Sequence, residues 1–522
     1  MNVQDNPAGK GAPARIDYDR FRLKTFLAEL EAAGELERRP QTKLTEIADV
    51  LEGNPKAVLF DGLGANEFAL VGGVMSSRGR MARAFGVNER QLLGEVRKRL
   101  GNRPDILEVS STEAPTHQVV LTGDDVDLTK LPLHLQHGKD GGLYISAGMD
   151  FCIDKATGWT NVGLRRFMVR SRNTTGVDLL APSDLRAIYL ASLQRGERLP
   201  VRVVVGAHPV DYFASSLRLP VDELGILSQL RATTLPVVKC VTNDIRVPAD
   251  AEWVLEGYLG EEGYSEPEGP YGEFLGYYGA VKTNPVFHVT AITHRADAVF
   301  QTITIGGYQM SRTDTAQLST LRTEVLIWRA LEGAVREPVA VYVPPATGGV
   351  FNVRVAIRQR SAGEARNAIA AAFGAQSNSK NVFVVDPDID VFSDQQMEWA
   401  LATRFQPDRD LVVASGFRTL PLDPSLDPGS HVGAKAGYDL TLPYGGASRL
   451  ESEVPKPPGF EGKRFESIEA ALADGPKYFE QLMSALGVED GRPLIAMLDD
   501  LTTRRIVTRE TQHGRYCLAK PN

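Results

Sequence analysis

Glu268 and Glu273 stand five residues apart in the run Glu266-Pro-Glu268-Gly-Pro-Tyr271-Gly-Glu273-Phe-Leu-Gly-Tyr-Tyr-Gly279. Pro267 and Pro270 fix φ and remove backbone donors, while Gly269, Gly272, Gly276 and Gly279 allow close backbone approach. No helix runs through such a stretch, so rigid, irregular backbone holds both carboxyls. Acids held this way suit proton transfer, although a surface turn with two solvated carboxylates would read the same. Arg166 is a second candidate, in Thr160-Asn161-Val-Gly-Leu164-Arg165-Arg166-Phe-Met168. A guanidinium can hold a substrate carboxylate or pair with a glutamate in a forked geometry. Flanked by Arg165 and Arg170, it also fits a solvated surface strand.

Other chemistries lack an anchor. The sequence holds no G-x-S-x-G elbow, no Walker A loop and no H-E-x-x-H. Gly445-Gly446 and Asp140-Gly-Gly142 are glycine turns without the dinucleotide fingerprint. His134 and His137 are spaced i, i+3 but sit in a proline-containing loop with no third ligand nearby. Cys152, Cys240 and Cys517 are widely spaced with no CxxC, which favours buried free thiols in a reducing compartment. A net charge of −8 leaves no footprint for nucleic acid. No apolar run is long enough to span a membrane, and Met1 to Arg15 lacks an apolar secretory core, so a flexible tail and a cytoplasmic location are expected.

Several elements must position these residues. Leu23, Phe26, Leu27 and Leu30 mark a helix over Asp19 to Ala33 that stops at Gly34. Residues 16–106 alternate short apolar runs with helical stretches and read as an α/β region. From 107 to 312 strand-like runs dominate, including Leu143 to Ser146, Val201 to Val205 and Val286 to Ile292, as in a curved sheet or barrel. Helices are expected around Ser183 to Arg195 and Val221 to Ala232. Residues 313–335 read as a linker helix. The stretch 336–522 reads as an α/β layer domain ending in a helical tail, with capping signals at Ser361/Glu364 and Ser393/Gln396.

Taken with Asp140-Gly-Gly-Leu-Tyr-Ile-Ser146-Ala-Gly148, the two charged segments resemble the UbiD family of prenylated-FMN-dependent decarboxylases. Further pieces follow in the family's order: Phe26 to Leu36, Val238-Lys-Cys240, Val247 to Gly257, Asp386-Pro-Asp388-Ile-Asp390 and Trp399 to Arg404. The resemblance runs from about Phe21 to about Leu442. It implies an α+β, α/β multidomain chain: a split β-barrel-like flavin-binding domain, a linker helix that allows closure, and a C-terminal α/β oligomerisation domain. It implies an Arg/Glu/Glu constellation of Arg166, Glu268 and Glu273, with Glu273 as proton donor and Glu268 orienting Arg166. Decarboxylation leaves a carbanion-like centre, and no standard side chain is a good electron sink, so a cofactor must carry the electrons.

The family holds the flavin phosphate through a divalent metal, Mn or Mg, on Asn, His and Glu, with K beside it. Asn161 matches the Asn, Asp184 stands at the His position, and Pro236 falls at the Glu position. Aspartate is a competent hard ligand, or alternatively the cap of the helix that follows it, whereas proline offers no donor. The metal site is therefore expected to be remodelled or lost. Lys435 matches a lysine that reaches the phosphate, and Ser146 and Leu164 are expected to contact the cofactor. The implied substrate is an aromatic or heteroaromatic carboxylic acid, with an α,β-unsaturated acid as alternative. Tyr271, Phe274, Tyr277 and the loop Gly306 to Asp314 are candidate pocket residues. A prenylated-FMN synthase would supply the cofactor, and a homodimer or larger homo-oligomer is expected. A catalytically silent flavin-binding assembly protein and a flavin reductase are the rival readings.

Overall fold

The computed structural model describes residues 16–63, 67–427, 429–430, 432–446 and 454–520. The segment Met1 to Arg15 lies outside them. The chain divides into two compact units, Met1–Thr441 and Leu442–Asn522.

The first unit is built around a barrel. Its strands are β1 (Tyr144–Ile153), β2 (Thr160–Val169), β3 (Thr174–Val177), β4 (Leu199–Val205), β5 (Trp253–Leu259) and β6 (Val286–His294). They neighbour in the order β5-β4-β1-β2-β3-β6, and pairing of β5 with β6 closes the ring. Val119–Thr122 adds to β6 from outside. Valine-rich runs such as Val201-Arg-Val-Val-Val205 suit this, because β-branched side chains pack well on a pleated surface covered from both sides. Nearly every residue of β1 is buried, with the barrel interior on one face and the helices Pro209–Ser216 and Glu223–Arg231 packed nearby against β2.

One irregularity in this ring matters for the chemistry. Ile145 pairs with Phe167 and Gly148 with Arg165, so Ser146 and Ala147 together face Arg166. This bulge re-aims the side chain opposite it. Gly148 makes it possible, since a Cβ there would come within 2.5 Å of the Phe167 ring.

The N-terminal region is tied into the barrel. The helix Leu23–Ala32 buries Leu23, Phe26, Leu27 and Leu30, as its spacing predicts. Strands Leu36–Pro40, Ala57–Leu63 and Phe68–Gly72 form a sheet whose fourth strand, Val299–Gln301, comes from beyond β6. The linker helix runs Asp314–Glu332, capped by Thr313, and its Asp314 carboxylate accepts the backbone N–H groups of Met75 and Thr304. Beyond it lies a second sheet, β7 (Pro338–Tyr342), β8 (Asn352–Ile357), β9 (Asn381–Val385), β10 (Leu411–Arg418) and β11 (Val432–Asp439), ordered β7-β8-β9-β11-β10. The three central strands are parallel, and Glu364–Gly374 and Asp394–Arg404 lie between them in sequence. Ser393 caps the second helix as expected. The first starts later than its capping signal suggests, at Glu364 behind a left-handed Gly363. The Glu364 carboxylate accepts the N–H groups of Arg336 and Ser361.

The expected helical tail is instead a separate unit with its own core of Ile468, Leu472, Leu482, Leu494, Leu498 and Val507. Helices Ile468–Ala473, Phe479–Leu486 and Gly491–Thr503 are followed by a hairpin of Val507–Arg509 and Tyr516–Leu518. Lys477 bridges to Tyr516, which ties the hairpin to the segment between the first two of these helices. Cys152 and Cys240 are buried free thiols, as expected, whereas Cys517 in this hairpin is only half-buried.

Candidate active site

Strand β2 and the Pro/Gly segment bring Arg166, Glu268 and Glu273 together. Arg166 Nε donates to Glu268 Oε1 at 3.0 Å and Nη2 to Glu268 Oε2 at 3.3 Å. Nη1 donates to Glu273 Oε2 at 3.3 Å, and Nη2 also reaches Asp178 Oδ2 at 2.9 Å. The guanidinium carbon sits 4.4 Å from the Tyr271 ring centroid, a cation–π contact. An arginine has five N–H donors, so these pairings leave about one free. Arg166 thus holds acids in place instead of offering a fork to a substrate carboxylate.

The acids are buried for local reasons. Glu266–Glu268 pairs antiparallel with Lys282–Asn284, Glu268 opposite Lys282, and Asn284 Nδ2 donates to Glu268 Oε2 at 3.3 Å. The Asp140-Gly-Gly motif is the clamp beneath. Asp140 Oδ1 accepts the Gly272 N–H at 2.8 Å, and Gly141 N–H donates to Pro270 O at 2.8 Å. A Cβ on Gly141 would stand 2.2 Å from Gly269 O, so only glycine permits this approach. Glu273 N–H donates to Tyr277 O, closing a tight loop.

Electrostatics separates the carboxyls. Burial is the main reason that the Glu273 carboxyl lies above its ordinary range, with Arg166 and Lys282 opposing and Asp178 and Glu268 adding to the rise. Its Oε1 is buried without a hydrogen-bond partner. Burial would also raise Asp178, but Arg166 and Lys282 outweigh it and hold the group below its usual value. Burial alone would lower Arg166, and the three carboxylates override it, so its charge is permanent.

A cavity of about 310 Å³ adjoins this loop, lined in part by Leu275, Tyr277, Met310, Gly348, Lys380 and Asp423. Tyr277 and Met310 are thus among the residues that line this cavity. Tyr271 lies fully buried under Arg166, and Phe274 packs against the core.

A second polar cluster surrounds Asn161. Its Nδ2 donates to Glu223 Oε2 at 2.8 Å, and the Val162 N–H donates to the same oxygen. Burial first, then the charges of Asp184 and Asp150, push Glu223 up to about 8. Ser183, not Asp184, caps the helix Asp184–Gln194, which leaves the Asp184 carboxylate free of that duty. Arg218, whose Nη1 donates to Pro182 O, faces Arg165 and the two acids. Glu223 thus places a carboxylate beside Asn161. Pro236 lies in a different sheet, where its carbonyl accepts the Ala249 N–H and its strand pairs beside Leu107. Glu223 drew no notice in the sequence because it follows the capping Asp222 and looks like an ordinary first-turn acid.

Three other expected cofactor contacts have partners within the protein. Lys435 Nζ donates to Phe373 O at 2.8 Å and lies over the Phe417 ring, so it points into its own layer. Ser146 Oγ accepts the Ile303 N–H at 2.9 Å and meets Thr302 Oγ1 at 3.0 Å. Leu164 is half-buried against the core. His134 and His137 do not converge: His134 bonds Thr302 Oγ1, and His137 faces Asp140. Asp178 and Lys282 went unnoticed in the sequence.

The chain matches the 3-octaprenyl-4-hydroxybenzoate carboxy-lyase N-terminal domain over residues 27–100, the Rift-related domain over 107–308 and the C-terminal domain over 316–440. It belongs to the UbiD family of carboxy-lyases. A curated relative, anhydromevalonate phosphate decarboxylase of Methanosarcina mazei, is 30% identical over 424 residues, covering 80% of this chain and 95% of the relative. Among solved structures, the UbiD-class enzyme HmfF from Pelotomaculum thermopropionicum, in complex with FMN, is 32% identical with a TM-score of 0.77, covering 83% of this chain and 97% of HmfF. An evolved dimeric form of HmfF is solved with prFMN. Apo 3,4-dihydroxybenzoic acid decarboxylase (AroY) of Klebsiella pneumoniae is 26% identical with a TM-score of 0.74, covering 84% and 97%. This UbiD member is therefore a decarboxylase by family, and its barrel, linker helix and α/β layer fall within the matched residues. The unit 442–522 lies beyond them. Among the described residues no helix is long and apolar enough to cross a membrane.

Proposed function

We propose that this protein decarboxylates an aromatic or heteroaromatic carboxylic acid with prenylated FMN, and that Glu273 is the proton donor. The observation that carries the reading is Glu273 itself: a buried carboxyl, raised above its ordinary range, on the same guanidinium as two other acids. The residues present fit the cofactor's expected anchors. Asn161, Asp184 and Glu223 offer an amide oxygen and two carboxylates, a hard donor set for Mn²⁺ or Mg²⁺. Burial first, then the charges of Asp184 and Asp150, raise Glu223, and a bound cation would oppose that rise. Among the described residues no three His, Cys, Asp or Glu side chains cluster as ligands, so the amide of Asn161 is part of the set. Arg218 would add positive charge for a phosphate.

When bound, prenylated FMN supplies the electron sink that decarboxylation requires. The protein's own contribution is proton management. Arg166 fixes Glu268 and Glu273 on its two edges, and the Asp140 clamp holds the loop that carries Glu273. A carboxyl that burial raises above its ordinary range holds its proton more readily and can donate it to the carbon that CO₂ has left. AroY supports a ring acid, because its named substrate is 3,4-dihydroxybenzoic acid. An α,β-unsaturated or other non-ring acid is the second reading, favoured by the Methanosarcina relative, whose named substrate is anhydromevalonate phosphate. The dimeric HmfF supports a homodimer.

Co-expression with a prenylated-FMN synthase, followed by CO₂ measurement over a panel of ring and unsaturated acids, tests the proposal. Release from at least one ring acid is expected. A protein that holds the flavin but frees no CO₂ from any acid would instead be a silent flavin-binding scaffold.

A further inference from the structure

The Arg166 cluster contains more acid than base. Glu268, Glu273 and Asp178 face two cations, Arg166 and Lys282, whose Nζ lies 3.0 Å from Asp178 Oδ2. With all five ionised the cluster carries one surplus negative charge. The other groups packed around Glu273 do not cancel it. Tyr271 and Tyr144 are phenols whose ionisation burial opposes. Asn284 is a neutral amide, and Asp140 under Gly272 already faces His137 at 3.3 Å. A surplus charge in a dry site is resolved most cheaply by one proton.

Geometry decides which acid takes it. Glu268 accepts two Arg166 N–H groups and the Asn284 amide, and Asp178 accepts Arg166 and Lys282. Glu273 shares the single Arg166 Nη1 between its two oxygens, one hydrogen-bonded at 3.3 Å and the other 3.1 Å away without hydrogen-bond geometry, and has no further donor. We propose that Asp178 and Lys282 are positioning residues whose opposite charges set the proton occupancy of Glu273. The inference rests on the reading of Glu273 as the acid, and extends it to two residues that touch Glu273 only through Arg166 and through space.

The charge count yields a signed test. Asp178→Asn leaves two cations against two acids, so Glu273 loses its proton more readily. Lys282→Gln leaves one cation against three acids, so Glu273 keeps it longer. The double variant restores the single surplus charge. Infrared difference spectra of the purified full-length chain, taken against pH without cofactor, follow the carboxyl C=O band that Glu273→Gln removes. The midpoint should fall by about one pH unit in Asp178→Asn and rise by about one in Lys282→Gln, the size expected for one nearby charge. It should return to within about half a unit of the parent in the double variant. Lys282→Arg, which keeps the charge and the fold, should leave it in place. Midpoints that stay put, or that move the same way in both single variants, overturn the proposal. Because the readout needs neither flavin nor substrate, a failure here is distinct from a failure to release CO₂.

Discussion

Glu223→Gln should stabilise the cation-free protein in mildly alkaline buffer. Burial, with Asp184 and Asp150 adding to it, pushes Glu223 from 4.5 to about 8. A carboxyl raised on folding binds more protons in the folded state. Its stabilising contribution is therefore complete below about pH 4.5 and is lost as pH climbs towards 8. The gap of about 3.5 pH units at ~1.36 kcal/mol each amounts to about 5 kcal/mol. For a unit of roughly 420 residues at ~2.1 cal/mol/K per residue, that is a fall in Tm of about 5 °C. Glutamine keeps the oxygen that accepts the Asn161 and Val162 N–H groups and removes the charge. Scanning calorimetry from pH 5 to pH 8.5, in EDTA and then in Mn²⁺, gives the comparison. The parent should lose stability with rising pH in EDTA and recover it with Mn²⁺, whereas Glu223→Gln should show a flat profile and little Mn²⁺ response. Parallel profiles, or equal gains from Mn²⁺ in both proteins, would refute the assignment of Glu223 to the cation site.

Arg166→Lys keeps a charge but loses the fork that grips Glu268 and Glu273; kcat on the identified acid should fall about 100-fold or more with flavin still bound, and an unchanged kcat would contradict the role given to the guanidinium. Arg231→Met strips the buried partner of Asp211 and Asp250, which it holds at 2.6 to 3.1 Å. The expected cost is about 3–5 kcal/mol in thermal or urea unfolding, and a loss under about 1 kcal/mol would mean that water replaces the arginine. Truncation after Thr441 should leave the remaining chain folded, since 442–522 carries its own core; loss of the main calorimetric transition would show that the first unit depends on the second.

Much of the fold was legible where one periodicity dominates. The helix Leu23–Ala32 and the runs Val201 to Val205 and Val286 to Ile292 formed as read, because their apolar spacing matches the faces they bury. Arg166, Glu268 and Glu273 were legible because they lie in stiff, ordered segments. The rest depends on register. Asp178 and Lys282 stand 104 residues apart and meet through the pairing of β3 with β6 and of Glu266–Glu268 with Lys282–Asn284. Glu223 hid behind a helix cap, a place where acids are common. The direction of Lys435 was not legible, because only the sheet decides which way a strand residue faces.

The most direct test of the central claim is decarboxylation in D₂O by the flavin-loaded enzyme and its Glu273→Gln variant. The parent should place one deuterium on the carbon that CO₂ leaves, and the variant should bind flavin yet form no deuterated product. A variant that turns over at the parental rate, with the same deuterium incorporation, would show that the proton comes from elsewhere.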